Sequence, residues 1–339
     1  MKQTHNRVKI HGAGISGLTA AINLARSGIE AEVMEKRAHI GGAPFWHPSV
    51  HHQVFDLEKT CAYIGIDVSP CFRPVKNHTF FFYGRQSKIE EPCNSYVCEK
   101  GPRDSSLENY LYKEALKAGV SFKFETPLDL ETVGQKNGDT LPVVVATGLE
   151  RAPYDQLGIK HATIHGYRSS TQAAGGDMNS VCSYFGHYTN HDFAYTAASG
   201  DLLFTLLFAR KGVGRDNLDA FQQHLRGLGK TVSNDWMFSS GCVPLEKNLV
   251  KNGIVLAGTI GGMIDPFFLN GISAALISGK IAALYFTDPI KARKEFNRFT
   301  RNFHIKKMLK SIADRLPVKK YSFPLVVFVN NYLKWVGVV

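Results

Sequence analysis

The sequence has few features of a disulfide-stabilised or metal-binding protein. Six cysteines occur in 339 residues, and they form neither a C-x-x-C pair nor a Cys/His group with the spacing of zinc ligands. The first residues are polar, unlike the start of a secretory signal peptide. The apolar stretch 322–339 is interrupted by two asparagines and a lysine, which makes it too short to span a bilayer. We therefore expect a cytoplasmic protein with reduced thiols.

Acidic residues are too few to balance the basic ones, and the formal net charge is +11. Residues 288–339 hold twelve Lys or Arg and three Asp or Glu, so this segment accounts for +9 of that charge. It is either a solvated helix face or a segment that is attracted to an anionic surface. We do not expect nucleic acid as the partner. The adjoining apolar tail favours peripheral binding to the inner face of a membrane, unless it packs on the protein's own surface.

A glycine-rich motif lies between two predicted strands near the start of the chain. A strand over Val8–Ile10 leads into Gly12-Ala13-Gly14-Ile15-Ser16-Gly17, and a helix follows. In this G-x-G-x-x-G pattern, the first glycine permits a tight turn, the second lets a pyrophosphate approach, and the third allows close helix packing. The second strand, Ala31–Met34, ends at Glu35, which can accept hydrogen bonds from a ribose. Because a helix N-terminus also attracts phosphates, the stretch predicts dinucleotide binding.

Three further glycine-containing segments favour FAD over NAD. The pair Gly41-Gly42 follows the acid and a basic residue, Lys36, which is typical of FAD-containing flavoproteins. An apolar strand over Pro142–Val145 ends in Ala146-Thr147-Gly148, where the backbone can pass close to a cofactor. A glycine-rich loop after Gly258 leads into a helix whose N-terminus would face N1 and O2 of the flavin and stabilise negative charge there.

The pattern of apolar runs predicts an α/β fold. We expect an FAD-binding Rossmann-like domain (GR2 type), an interleaved antiparallel β-sheet substrate domain and a C-terminal helical segment. The aromatic- and histidine-rich stretch 43–53 is too irregular for a regular element and is expected to lie near the isoalloxazine. The predicted FAD-binding domain comprises 1–70, 95–150 and 250–287, the substrate domain comprises 71–94 and 151–249, and the basic C-terminal segment with its apolar tail comprises 288–339.

The order of these motifs resembles that of the geranylgeranyl reductase family, within the p-hydroxybenzoate hydroxylase-like flavoproteins. The resemblance covers about residues 8–285, with Lys100 where the family has an arginine. Three differences are notable: Thr147 and Thr259 replace aspartates, and no cysteine follows Gly42. The motifs and the resemblance together predict these FAD-binding residues: Gly12, Ala13, Gly14, Ser16, Gly17, Glu35, Lys36, Gly41, Gly42, Ala43, Lys100, Leu128, Ala146, Thr147, Gly148, Gly258, Asp265, Gly271 and Ile272.

The resemblance implies an enzyme that uses FAD to reduce C=C bonds of a prenyl or other apolar substrate, with electrons from an external donor. Two alternatives stay open. One is an FAD-dependent monooxygenase acting on an aromatic or apolar small molecule, and the other is a non-redox flavoprotein such as a cyclase or a binding protein. The histidines after Gly42 are interpreted as cofactor or substrate contacts, or as an acid relay, and no metal site is predicted. The predicted substrate contacts are His47, His51, Tyr184, Tyr195 and Phe204.

Overall fold

The computed structural model describes residues 6–42, 48–130, 142–173, 179–189, 192–230 and 233–315. Within these ranges, the chain forms sixteen strands and eight α-helices. The strands are β1 (Arg7–His11), β2 (Glu30–Met34), β3 (Ser49–Val54), β4 (Phe72–Pro74), β5 (Asn77–Phe82), β6 (Arg85–Glu90), β7 (Ser95–Lys100), β8 (Ser121–Lys123), β9 (Val143–Val145), β10 (His161–Gln172), β11 (Ser180–Phe185), β12 (Phe193–Ser199), β13 (Leu202–Ala209), β14 (Met237–Pro244), β15 (Val250–Lys251) and β16 (Ile254–Leu256). The α-helices are α1 (Ile15–Arg26), α2 (Leu57–Ile64), α3 (Leu107–Lys117), α4 (Arg151–Gln156), α5 (Arg215–Gly227), α6 (Ile272–Thr287), α7 (Pro289–Phe299) and α8 (Phe303–Ala313).

The first sheet has six strands in the order β15-β16-β9-β1-β2-β8, and all its neighbours run parallel except β15 and β16. Strands β9 and β16 are buried along their whole length, as expected when helices cover both faces of a parallel sheet. Since β1 and β16 run in the same direction, the helices that follow them begin at the same edge of the sheet. These two helices, α1 and α6, pack against each other.

The second sheet has seven strands in the order β14-β10-β13-β12-β11-β5-β6. Neighbours are antiparallel except β5 and β11, which pair in parallel. Helix α5 covers one face of this sheet, where its apolar residues Leu218, Phe221 and Leu225 contact Tyr184 and Leu207. The other face is therefore left to line a cavity between the two sheets.

A third, three-stranded sheet in the order β3-β7-β4 joins the other two. The prediction that 43–53 forms no regular element is partly wrong, because Ser49–Val54 is strand β3 and pairs with β7. The strand forms because Val50 is fully buried against Val97, Tyr195 and Phe204. Residues 43–47 lie outside the described residues.

The C-terminal helices are held to the second sheet by buried charges. The Asp192 carboxylate pairs with Arg210 at 3.0 Å and with Lys310 of α8 at 3.1 Å. Arg210 also donates to the carbonyl oxygens of Pro266 and Phe267, at 3.2 and 2.6 Å, in the loop before α6. Helix α8 is thus connected through one network to a loop that borders the cavities described below. No helix within the described ranges combines the length and the apolar character needed to cross a membrane.

Candidate active site

A cavity of about 870 Å³ lies between the first two sheets. One end is lined by backbone from the glycine-rich turn after β1 and from the segment after β9, and the other end by aromatic side chains of the seven-stranded sheet. We name these the glycine-loop end and the aromatic end. This cavity is larger than the second cavity described below, and it has a polar half and an apolar half.

Two helix N-termini meet at this cavity. Helix α1 begins after Gly14 and helix α6 after Gly271, and neither cap residue has a side chain that could bond the free N–H groups. Neither helix has an acidic residue in its first turn. Each N-terminus therefore offers a partial positive charge and unsatisfied donors to an anionic ligand. Two such sites on one cavity suit a ligand that carries negative charge at two separate places.

The Glu35 carboxylate, at the end of β2, contacts the glycine-rich turn. Its Oε2 accepts a hydrogen bond from the Ala13 N–H at 2.9 Å, and its Oε1 accepts one from the Arg37 N–H at 3.0 Å. Next to it, the Lys36 ammonium pairs with Glu150 at 2.6 Å. Glu35 is thereby fixed in place at the glycine-loop end, where its oxygens could accept hydroxyl hydrogen bonds.

Buried polar atoms without a partner among the described residues indicate that the glycine-loop end is built for a polar ligand. They include His11 Nδ1 and Thr147 Oγ1, both on residues that line the cavity. Native proteins leave few buried polar groups unsatisfied, so such atoms at a cavity wall mark contacts that a ligand can complete. Together with the two helix N-termini and Glu35, they fit the phosphates and ribose of a dinucleotide such as FAD.

At the aromatic end, His51 of β3 lies between two hydroxyl groups. Its Nδ1 is 3.1 Å from the Tyr195 hydroxyl and its Nε2 is 3.0 Å from the Ser49 hydroxyl. Burial, followed by the positive charges of Lys100 and Arg168, lowers the pKa of His51 to about 3. His51 is therefore a neutral imidazole at physiological pH, and it positions the Tyr195 hydroxyl in the cavity.

A second cavity of about 610 Å³ adjoins the aromatic end and shares with it the lining residues His52, Ser183 and Phe193, among others. Its walls are mostly aromatic and aliphatic, and four partly exposed basic side chains also line it: Lys59, Arg298, Arg301 and Lys306. His52 bonds the Ser95 hydroxyl at 2.7 Å, and burial lowers the pKa of His52 to about 4. Its ring lies edge-on to that of His78, which bonds Ser183.

Comparison with known proteins identifies the fold. A family model described as an NAD(P)-binding Rossmann-like domain matches residues 10–57. A geranylgeranyl bacteriochlorophyll reductase-like protein from Thermoplasma acidophilum superposes with a TM-score of 0.71 at 16% identity, covering 97% of this chain and 92% of that one. The flavin-dependent brominase Bmp2 superposes with a TM-score of 0.65 at 13% identity, covering 98% and 94%. The tetracycline destructase Tet(51) superposes with a TM-score of 0.62 at 14% identity, covering 98% and 97%.

The chain has the geranylgeranyl reductase-like fold. The predicted α/β architecture, with a Rossmann-like domain, is confirmed. No curated protein matches the sequence.

Most residues predicted to bind FAD come together at the cavity. Those that line it are Gly12, Ala13, Gly14, Ser16, Glu35, Lys36, Gly42, Lys100, Leu128, Ala146, Thr147, Gly148, Gly271 and Ile272. Ala43 lies outside the described residues. The cofactor role of the lining residues stays a prediction, but the geometry needed for it is present.

Four of the predicted cofactor residues are not in the wall of this cavity. A Cβ on Gly17 would lie 1.9 Å from the Gly12 carbonyl oxygen, and one on Gly258 would lie 2.5 Å from Ser16 Oγ, so both glycines serve close packing. Gly41 lies against Gly101 in the same way. Asp265 borders the second cavity instead, where it accepts hydrogen bonds from two backbone N–H groups and pairs with Lys306.

The predicted substrate contacts are divided between the two faces of the seven-stranded sheet. His51, Tyr195 and Phe204 line the main cavity. Tyr184 does not line it, because its ring lies on the opposite face, 5.4 Å from that of Phe221 in α5. His47 lies outside the described residues.

Several cavity residues were missed in the sequence. His11 could have been noticed, because it is a buried polar residue at the end of a strand that leads directly into the glycine-rich turn. His78 and Ser183 carry no local signal, since they are brought together by the parallel pairing of β5 with β11. Phe238 also lines the main cavity, stacked on His165 with ring centroids 5.8 Å apart. No cluster of His, Cys, Asp and Glu side chains suited to a metal ion occurs in the described part of the chain.

Proposed function

We propose that this protein is an FAD-dependent oxidoreductase that reduces C=C bonds of a prenyl or similar apolar chain. The observation that carries this proposal is that a cavity with a polar glycine-loop end adjoins a second, largely apolar cavity and shares lining residues with it. The glycine-loop end supplies two helix N-termini and the fixed carboxylate of Glu35. The aromatic end leads directly to the second cavity. A dinucleotide and an extended apolar chain therefore have adjoining places.

The two halves would divide the work between cofactor and protein. FAD, when bound and reduced, supplies hydride transfer. The chain excludes water through its aromatic walls and holds the substrate chain in place. Saturation of a C=C bond also needs a proton, and the Tyr195 hydroxyl, oriented by His51, holds one at the cavity wall. The neutral state of His51 keeps this pair free of net charge, which suits an apolar substrate.

The lining of the second cavity suits a substrate with an apolar chain that ends in a negatively charged group. Phe80, Phe185 and Phe299 contribute to its walls, whereas Lys59 and Arg301 are exposed at its edge. A long hydrocarbon would replace water along the aromatic walls, and burial of its apolar surface would stabilise binding. The basic side chains would attract its anionic end.

A monooxygenase acting on an aromatic or apolar molecule is the second candidate. It is favoured by the superposition on 2-methyl-3-hydroxypyridine-5-carboxylic acid oxygenase, with a TM-score of 0.63 at 13% identity. The same cavity would serve both reactions, because they differ in what reacts with the reduced flavin rather than in how the flavin is held.

Anaerobic reduction separates these candidates. The purified protein should show a flavin absorbance spectrum, and dithionite should bleach it. Adding a polyprenyl lipid without oxygen should restore the oxidised spectrum and yield a product that has gained two hydrogens per reduced bond. Flavin that stays reduced until oxygen is added, with an oxygen atom then found in the product, would instead establish the monooxygenase. Flavin that takes part in neither reaction would leave the non-redox alternative, and protein that neither carries nor binds flavin would refute the proposal.

We further propose that α8 places the enzyme on an anionic membrane surface from the cytoplasmic side. Its exposed apolar residues Ile305, Met308, Leu309 and Ile312 follow the i, i+3, i+4, i+7 spacing of one helix face and are 46–55% exposed. This stripe lies within the segment that carries most of the protein's excess positive charge. Apolar area and positive charge on one helix are the two contributions that interfacial binding needs.

Vesicle sedimentation tests this placement. The protein should sediment with phosphatidylglycerol vesicles more than with phosphatidylcholine vesicles, and the double variant Met308→Asp/Ile312→Asp should stay in the supernatant. The matched control is Ile290→Asp, which places the same charge at an exposed position of α7 outside the stripe. Equal sedimentation of the wild type and the double variant would contradict the proposal.

A further inference from the structure

His11 is a buried histidine at the wall of the glycine-loop end. It is the last residue of β1, immediately before the glycine-rich turn, and only 6% of it is exposed. Its neighbours in the sheet are Met34 of β2 and Val145 of β9. The preceding residue, Ile10, belongs to the core beneath α1, whereas His11 lines the cavity. The His11 side chain therefore lies on the face of the sheet opposite α1, where its neighbour Val145 packs in a second apolar cluster, and it borders the cavity there.

The imidazole of His11 has no hydrogen-bond partner among the described residues. Its Nδ1 is fully buried and unsatisfied. Burial, followed by the positive charge of Lys9, lowers the pKa of His11 to about 4, so the ring is neutral at physiological pH. A neutral imidazole has one N–H donor and one acceptor nitrogen. Leaving such a group buried without a partner destabilises the empty protein, and a ligand that completes the hydrogen bond removes that cost.

The position of His11 in the sheet indicates which part of a dinucleotide it can reach. Its neighbour Met34 is followed directly by Glu35, the carboxylate placed for the ribose of the adenosine half. Leu128 and Thr126 line the same end of the cavity. The aromatic end, where a substrate chain would lie, is formed by other elements: β3, β12 and β13. A ligand group that contacts both Glu35 and His11 therefore belongs to the nucleoside half.

We propose that His11 hydrogen-bonds the adenosine half of the bound dinucleotide and is an unsatisfied group in the empty protein. This inference rests on the proposed function, because it assumes that FAD occupies the main cavity. An adenine edge or a ribose hydroxyl offers the donor and acceptor groups that a neutral imidazole can use. His11 thus lowers the stability of the cofactor-free protein and raises the affinity for the cofactor.

The variant His11→Leu should therefore have higher stability without cofactor and lower affinity for the cofactor. The variant removes both ring nitrogens and keeps an apolar side chain that suits the neighbouring Val145. The melting temperature of the cofactor-free protein should rise by about 2 °C, since a buried unsatisfied group is lost. The affinity for FAD, and for ADP as a probe of the nucleoside half alone, should fall about 10-fold by calorimetry. His304→Leu makes the same chemical change at an exposed position and should alter neither quantity.

The outcomes distinguish this inference from the proposed function. Wild-type protein that binds neither FAD nor ADP refutes the proposed cofactor and the inference with it. Wild-type protein that binds both, with unchanged affinity in His11→Leu, refutes the inference alone. A variant that loses stability as well as affinity shows that His11 has a structural role, which also overturns the inference. If His11→Leu does not fold, His11→Phe, which keeps a planar ring without polar atoms, undergoes the same measurements with the same expected signs.

Discussion

The two ends of the main cavity are built in different ways. The glycine-loop end consists largely of backbone, held by short local motifs, and the groups that it offers to a ligand are N–H dipoles and the carboxylate of Glu35. The aromatic end consists of side chains from strands that are far apart in sequence, such as His51 and Tyr195, which are separated by 144 residues. A backbone site tolerates almost no added atoms, whereas a side-chain site can change one residue at a time. The chemistry of the cofactor is thus constrained more tightly than the choice of substrate.

The sharpest test of this difference is a single methyl group at two neighbouring glycines. The Cβ of Gly17→Ala would lie 1.9 Å from the Gly12 carbonyl oxygen, which is backbone and cannot rotate away. We expect a loss of about 3 kcal/mol or more of folding free energy and little soluble protein. The Cβ of Gly14→Ala meets nothing within 4 Å, so this variant should keep its melting temperature while its FAD affinity falls at least about 10-fold. Gly17→Ala protein as stable as the wild type would contradict the backbone account.

Acid should weaken the aromatic end more than the glycine-loop end, because three histidines with lowered pKa values lie at or beside the former and one, His11, lies at the latter. Burial lowers the pKa of His51 to about 3 and that of His52 to about 4, from an ordinary value of 6.5, and burial lowers the pKa of His78 as well. Because the unfolded chain binds protons that the folded one excludes, this stability is complete above pH 6.5 and is lost as the pH falls toward 4. Each such histidine should cost roughly 1.4 kcal/mol per pH unit below 6.5.

Melting temperatures measured between pH 7.5 and 5 check this expectation. His51→Gln should reduce the slope of melting temperature against pH, whereas His304→Gln, at an exposed position of α8, should leave it unchanged. An identical slope in all three proteins would show that the buried histidines at the aromatic end do not resist protonation.

At the glycine-loop end, Glu35→Gln should reduce cofactor affinity by about 10-fold, because charged hydrogen bonds are stronger than neutral ones. The two N–H groups bond different oxygens of Glu35, so the single oxygen of the variant can keep only one of these bonds, and the apo protein should lose about 1 kcal/mol. Calorimetric titration with FAD measures the first effect and thermal unfolding the second. Glu30→Gln, an exposed acid of the same strand, is the control. Unchanged FAD affinity in Glu35→Gln would remove this carboxylate from the proposed ribose contact.

The smallest effects are expected for two tyrosine variants on opposite faces of the seven-stranded sheet. Tyr195→Phe removes the hydroxyl that His51 orients in the cavity, and Tyr184→Phe removes a hydroxyl 3.3 Å from Thr196 on the face that α5 covers. Each should cost about 1 kcal/mol of stability or less. Only Tyr195→Phe should slow the reoxidation of reduced flavin by a polyprenyl lipid, and neither should change FAD affinity. Equal slowing in both variants would show that the effect comes from the fold and not from the cavity.

Whether a feature of this fold can be predicted from the sequence depends on how far apart along the chain the residues that determine it lie. The strand, glycine turn, helix and acid between Val8 and Glu35 follow from local spacing, so they could be predicted. Asp265 borders the second cavity and not the main one, and its carboxylate pairs with Lys306 on α8. The contact joins residues that are 41 positions apart, so the glycine pattern of the loop gives no indication of it.

The position of Tyr184 outside the main cavity also depends on a contact that is distant in sequence. Alternation along β11 places Tyr184 and Ser183 on opposite faces, but it does not say which face meets the helix and which meets the cavity. Helix α5 decides this, because Phe221 and Leu225 require an apolar surface to cover. The sheet itself could be predicted from alternating runs, whereas the sidedness of its aromatic residues depended on a helix that follows β11 by about 30 residues.

The interleaving of the sheets also constrains the order in which the chain can fold. Helix α1 is completed at residue 26, yet its partner α6 begins at residue 272, and the hydrogen bond between Lys280 and Asn23 spans 257 residues. During synthesis, the face of α1 that packs on α6 therefore stays uncovered until the whole seven-stranded sheet has been made. Contacts of such long sequence separation slow folding and leave a partly formed sheet open to association in the interval. The glycine-rich turn before α1 is thus among the first parts of the protein to be synthesised and among the last to be enclosed.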